Sequence, residues 1–171
     1  MPDHAAFDPP GETAGGYAGR LRHAAVLIRR HASRLTYHPV TGERPRPGPE
    51  LLGALAEVDH VVRDVQRGAA GRAQEEVAVS GVPDAQAAQL RLAHGAVEQG
   101  AQAVLAGLDV LRRVLGTADG ASVDAPYGSG APRRQHPGAL STLVAERVEG
   151  LAEALDVAAI VGANRALNAG E

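Results

Sequence analysis

Apolar residues recur at steps of three and four along four separate stretches of the chain, a spacing that is typical of one face of an α-helix. These stretches run from about Gly16 to Tyr37, from Glu50 onward, from about Asp84 to Leu115 and from about Ala139 to Leu167. The second stretch either ends near Gly68 or continues weakly to Val79. The expected inward positions are Leu21, Ala25, Ile28, Ala32 and Leu35; Leu51, Leu55, Val58, Val62 and Val65; Leu90, Val97, Ala101, Val104, Leu108, Leu111 and Leu115; and Leu140, Val144, Val148, Leu151, Leu155 and Ala158.

The segments between these stretches carry residues that interrupt helices. Residues 38–49 contain four prolines and two glycines, residues 80–84 form a turn, and residues 117–138 are rich in glycine and proline. Residues 1–13 are expected to be a flexible arm. The sequence therefore predicts an all-α protein in which residues 14–168 form one four-helix bundle, antiparallel and up-and-down, with a long loop at 117–138.

The composition narrows the chemistry that the chain can perform. Hydrophobic residues make up 44% of the chain but aromatic residues only 2%, so the core must be aliphatic. There is no cysteine, which excludes disulfides, thiolate catalysis and cysteine-ligated zinc. All 17 basic residues are arginine, which excludes Schiff-base chemistry and a phosphate-binding loop lysine.

The charge pattern also limits the partners. The formal net charge is −3, and charges of both signs are interspersed along the chain. Neither a nucleic-acid partner nor a membrane partner is therefore expected. The chain contains no apolar run long enough for a membrane span and no visible export signal, so we expect a cytoplasmic location.

The third stretch carries a second set of apolar and small residues opposite its main seam. Its members are Leu92, Ala96, Ala103, Gly107, Val110 and Val114. One interpretation is a central helix that packs on two neighbours in its own chain, and the other is a helix that docks a second subunit. Residues 155–167 are also apolar around most of the helix circumference. Two such helices favour a homodimer.

His94 interrupts the apolar seam of the third stretch. It lies at the margin of the predicted buried face, and Glu98 follows four residues later, which is within reach of the imidazole on a helix. His94 and Glu98 are thus candidate catalytic residues, with His94 as a general acid or base. The alternative interpretation is a histidine at the edge of the core that hydrogen-bonds Glu98, a backbone group or water.

Two patterns resemble parts of metal sites but are incomplete. Glu57 and His60 form an E-x-x-H pair, but there is no second pair, and the first helical stretch contains no acidic residue. His31 and His38 flank the first apolar stripe and lack a partner set. We therefore expect no metal and no cofactor.

Arginines provide the candidate anion-binding residues. Arg29, Arg30 and Arg34 form a modest basic patch on the first helix, suited to an anionic ligand or acidic partner. Arg133 and Arg134 precede the fourth helix and can hold a phosphate or carboxylate. Tyr127, in the same loop, is a third candidate ligand-binding residue, and a flexible loop without a site is the alternative.

Together these observations favour a non-catalytic or accessory helical-bundle protein. It would act as a homodimer that binds a partner protein or a small ligand. The alternative function is a cofactor-free bundle enzyme that acts on an anionic small molecule through His94. A closed aliphatic interior favours the first function, and a polar cavity that reaches His94 favours the second.

Overall fold

The structure, a computed structural model, describes residues 14–36, 40, 41, 43, 45–78, 84–116 and 136–168. These residues contain four α-helices, which are α1 (Ala14–Ala32), α2 (Pro49–Ala78), α3 (Asp84–Leu115) and α4 (Pro137–Asn168). No strand occurs in this part of the chain. The predicted all-α class is confirmed, whereas the arm at 1–13 and nearly all of the loop at 117–138 lie outside the described residues.

The helix ends follow the local chemistry of the sequence. Helix α1 ends earlier than predicted, because the N–H groups of Arg34 and Leu35 bond to the carbonyls of His31 and Ala32 in a closing turn. Helix α3 ends at Leu115, and the next residue, Gly116, has a φ of 71°, the left-handed conformation that glycine adopts without strain. Helix α2 continues past Gly68, so the longer of its two predicted lengths is correct.

The core is aliphatic throughout the described residues. The cluster of buried hydrophobic residues contains only Ala, Val, Leu and Ile side chains, and all four helices contribute to it. Nearly all predicted inward positions are buried, while Leu140 and Ala158 pack against the cluster as half-buried residues. The helical spacing therefore predicts the inner face of each helix correctly.

Each helix packs mainly against two others. Helix α4 packs extensively against α1 and α3, and α2 packs against α1 and, more sparsely, against α3. Helix α3 thus lies beside two neighbours within its own chain. None of the four described helices has an 18-residue window apolar enough to cross a membrane.

Gly138, in the first turn of α4, allows that helix to approach the end of α1 closely. A Cβ atom at this position would lie 2.5 Å from the carbonyl oxygen of Ala32. This is far inside van der Waals contact, and the obstacle is backbone rather than a movable side chain. The absence of a side chain at Gly138 is therefore a packing requirement.

Replacing Gly138 with alanine should destabilise the protein by about 1–3 kcal/mol, because the helix ends must separate to admit the methyl group. Urea denaturation followed by circular dichroism measures the change. Gly53→Ala is the matched control: a Cβ atom there meets nothing within 4 Å. That variant should be stabilised by about 0.5–1 kcal/mol through its higher helix propensity. Equal effects at the two sites would contradict the packing requirement.

Candidate functional site

His94 is half-buried on α3, at the margin of the core as its position in the seam predicts. Glu98 is exposed, and its carboxylate accepts a 3.5 Å hydrogen bond from the amide of Gln102. A contact between His94 and Glu98 stays a prediction. The only buried polar side chain among the described residues is Ser141, whose hydroxyl donates to the carbonyl oxygen of Pro137 at 2.9 Å. The core itself therefore offers little polar chemistry.

Two carboxylates on α2, Glu57 of the E-x-x-H pair and the nearby Asp59, bind arginines on neighbouring helices. Arg20 Nε on α1 donates to Glu57 Oε1 at 2.6 Å, and Arg112 Nη1 on α3 donates to Asp59 Oδ1 at 3.1 Å. Arg63, one turn along α2, also donates to Asp59, at 2.8 Å. This face of α2 therefore holds α1 and α3 through ion pairs.

These contacts lower the pKa of both carboxyl groups. The hydrogen bond from Arg20 lowers the pKa of Glu57 below its ordinary value of 4.5, and the opposing effect of burial is smaller. The hydrogen bond from Arg63 is the largest cause that lowers the pKa of Asp59 below 3.8, and Arg112 adds to it. Both groups are thus held in the ionised form that the ion pairs require.

No group of three or more His, Asp or Glu side chains that could hold a metal ion occurs in the described part of the chain. His31 Nε2 lies 2.9 Å from Glu50 Oε2, and His60 Nε2 lies 3.3 Å from Asp64 Oδ2. His38 lies outside the described residues. The expectation that the protein is metal-free stays a prediction.

The residues of the second α3 face differ in exposure. Leu92 is 75% exposed and Val110 is 37% exposed, and Ala96 is also exposed. Ala103 is half-buried, and Gly107 and Val114 are buried within the chain. At Gly107 a Cβ atom would approach α4 side chains to about 3.1 Å, so this edge of the face packs on α4. Only the outer part of the set is open to a second subunit.

The predicted basic patch divides into residues with different surroundings, and Arg34 lies in the turn that follows α1. Arg29 forms a two-pronged ion pair with Glu149 on α4, with Nη2 lying 2.6 Å from Oε2. Arg30 and Arg34 are exposed. Arg34 lines an open groove of about 330 Å³ between the end of α1 and the start of α2. Arg133, Arg134 and Tyr127 lie outside the described residues.

This groove is the candidate ligand site, and we call it the α1–α2 groove. It is lined by His31, Arg34, Leu35, Arg46, Gly48, Pro49, Glu50 and Leu51. The walls combine apolar side chains with two guanidiniums, one imidazole and one carboxylate. Its volume lies near the lower end of the range for small-molecule pockets. His94 is not among its lining residues.

Arg46 and Glu50 are the groove residues that sequence analysis did not single out. Arg46 precedes α2 and lines the groove together with His31, Arg34 and Leu35 at the end of α1. That placement depends on tertiary structure. Two features of the sequence could have indicated the groove. They are Glu50, the acidic residue in the first turn of α2, and His31 in the last turn of α1.

Comparison with models of known protein families, with curated proteins and with solved structures finds no match for this chain.

Glu57 and Asp59 should make the protein sensitive to acid. Their pKa values are lowered in the folded state, so their stabilising contribution is complete above about pH 4.5 and is lost as the pH falls through the folded-state values. The double variant Glu57→Gln/Asp59→Asn should lose less unfolding free energy than the wild type between about pH 6 and pH 3. Urea denaturation across this range tests it. Glu153→Gln, at an exposed position of α4, is the control, and an identical pH slope in all three proteins would refute the assignment.

Proposed function

We propose that this chain forms an antiparallel, up-and-down four-helix bundle that acts without catalysis, as a homodimer that binds a partner protein or a small ligand. The observation that carries the proposal is an exposed apolar surface along α3 and α4. It supports binding because exposed apolar side chains on two adjacent helices favour contact with a partner surface.

The contacts between helices support the antiparallel arrangement. Along α3 and α4, Gly100 lies beside Leu151 and Gly107 beside Val144, so rising numbers on one helix meet falling numbers on the other. Between α1 and α4, Arg22 pairs with Asp156 and Arg29 with Glu149, in the same opposed order. Between α1 and α2, Arg20 pairs with Glu57 and His31 with Glu50.

The outer surface of α3 is suited to pairing with itself. Leu92 and Val110 are separated by 18 residues, or about five helical turns, so they lie on the same side of the helix. Ala96, Ala103 and Ala106 lie between them, and these small side chains permit close approach of a second helix. If two copies of α3 cross antiparallel, Leu92 of one faces Val110 of the other.

Helix α4 extends this surface. Leu143 is 41% exposed and Val157 is 53% exposed. The α3–α4 register brings Val110 within about one turn of Leu143, and Leu92 within about one turn of Val157. We call these four residues and the alanines between them the α3–α4 face. Large apolar groups at both ends and small groups in the middle are compatible with an interface in which both subunits use the same surface.

Arg147 is the charged residue that crosses this face. Its Nη1 donates to the carbonyl oxygen of Ala103 at 3.1 Å, which satisfies one donor while the aliphatic stem covers apolar surface. In a two-fold dimer the two Arg147 side chains approach the axis from opposite subunits. Their repulsion is screened by salt, so added salt should favour the dimer.

Introducing charge on the α3–α4 face should separate the subunits. In Leu92→Glu/Val110→Glu the carboxylates would be desolvated without partners, which the dimer cannot tolerate. Light scattering should then give the mass of one 17.5 kDa chain with helicity retained. Val26→Glu is the matched control, because Val26 is 53% exposed but lies on α1. A wild-type monomer, or a double variant that keeps the mass of a dimer, would refute the interface.

The role of His94 separates binding from catalysis. If His94 is a structural residue at the core edge, His94→Gln should change the unfolding free energy by at most about 1–3 kcal/mol. It should also retain any small molecule that native mass spectrometry finds on the wild-type protein. A folded variant that loses this molecule would favour the enzyme hypothesis.

A further inference from the structure

We infer that the α1–α2 groove binds the phosphate group of a small phosphorylated molecule, and that Arg34 and Arg46 hold the phosphate. This inference gives a chemical class to the small ligand of the proposed function and rests on that function. It does not depend on the α3–α4 face, because the groove residues come from α1, the segment after it and the start of α2.

In the part of the chain that the structure describes, the groove brings together two arginines that pair with no carboxylate, whereas Arg30 and Arg91, which also lack such a partner, lie outside it. Seven described arginines each contact a carboxylate, and they are Arg20, Arg22, Arg29, Arg63, Arg67, Arg112 and Arg113. Arg34 and Arg46 have no carboxylate partner among the described residues. In a chain with a net charge of −3, two guanidiniums that share one groove with a single carboxylate make a local positive site.

The acidic residue of the groove is already engaged. Glu50 Oε2 lies 2.9 Å from His31 Nε2, and the His31 side chain is only 13% exposed. Glu50 is 69% exposed, so it can turn toward solvent when an anion enters. The carboxylate therefore weakens anion binding without blocking it, and its removal should strengthen binding.

The charge and size of the groove favour phosphate over a single carboxylate. Two guanidiniums match a dianion, and the planar fork of arginine donates two parallel hydrogen bonds to phosphate oxygens. Gly48 precedes α2. Because glycine has no side chain, it cannot cap the N–H groups of the first turn, and these groups are further donors for a phosphate in the groove. Leu35 and Leu51 add apolar wall, which suits a small organic body attached to the phosphate.

Isothermal titration calorimetry with glycerol 3-phosphate, at constant ionic strength, tests the inference on the full chain. Inorganic phosphate and succinate are the comparison probes, since they separate the phosphate group from the organic body and from carboxylate chemistry. Arg34→Gln and Arg46→Gln should each weaken phosphate binding about tenfold, and Glu50→Gln should strengthen it. Arg91→Gln is the matched control, because it removes the same charge from an exposed site on α3 that is outside the groove.

Saturable binding of both phosphate probes, with these opposite effects of the groove variants, would support the inference. No binding, tighter binding of succinate, or equal weakening by Arg91→Gln would overturn it. Light scattering of the same samples reports the dimer separately. A dimer that binds no phosphate would therefore refute the groove and leave the proposed dimer standing.

Discussion

Close approach between helices is the constraint on which the rest of this structure depends. Alanine and valine bury less apolar area than aromatic side chains do, so an aliphatic core gains its stability only when the helix backbones lie near one another. The glycines that face neighbouring helices meet this need. At Gly100 a Cβ atom would lie 3.3 Å from Leu151, and at Gly138 backbone already occupies the space. Helix α4, which has the most extensive contacts, carries or faces these positions.

A core made of similar aliphatic residues does little to favour one helix register over another. The ion pairs at the edge of the core select the register instead. Arg22 and Arg29 on α1 pair with Asp156 and Glu149, two turns apart on α4. Exposed pairs contribute only about 0–1 kcal/mol each. Their main effect is therefore to disfavour shifted registers, in which these arginines would lose their carboxylate partners. Asp59 has the same role where α2 packs sparsely on α3.

The helices and their inner faces could be predicted from the sequence, because burial on one side of a helix leaves a periodic pattern. The residues on the outer faces of the helices were predicted less accurately than those on the inner faces. Gly107 and Val114 were grouped with the outer set, but the apolar arc of α3 is wide enough to pack on α4 along one edge. Arg46 was missed for another reason: it stands in a proline-rich stretch of sequence that has no helical period, so no periodic pattern indicates its position. Ion-pair partners such as Arg20 and Glu57 likewise become neighbours only through tertiary packing.

The two candidate recognition surfaces use different helices. The groove lies between α1 and α2, and the α3–α4 face belongs to the other pair. A two-fold dimer through α3 and α4 would thus carry one open groove per subunit. Because a ligand in the groove contacts the end of α1 and the start of α2, it stabilises the folded chain by mass action whether or not the dimer forms. Ligand binding and dimerisation are then thermodynamically independent unless α1 moves against α4, a shift that the Arg29–Glu149 pair opposes.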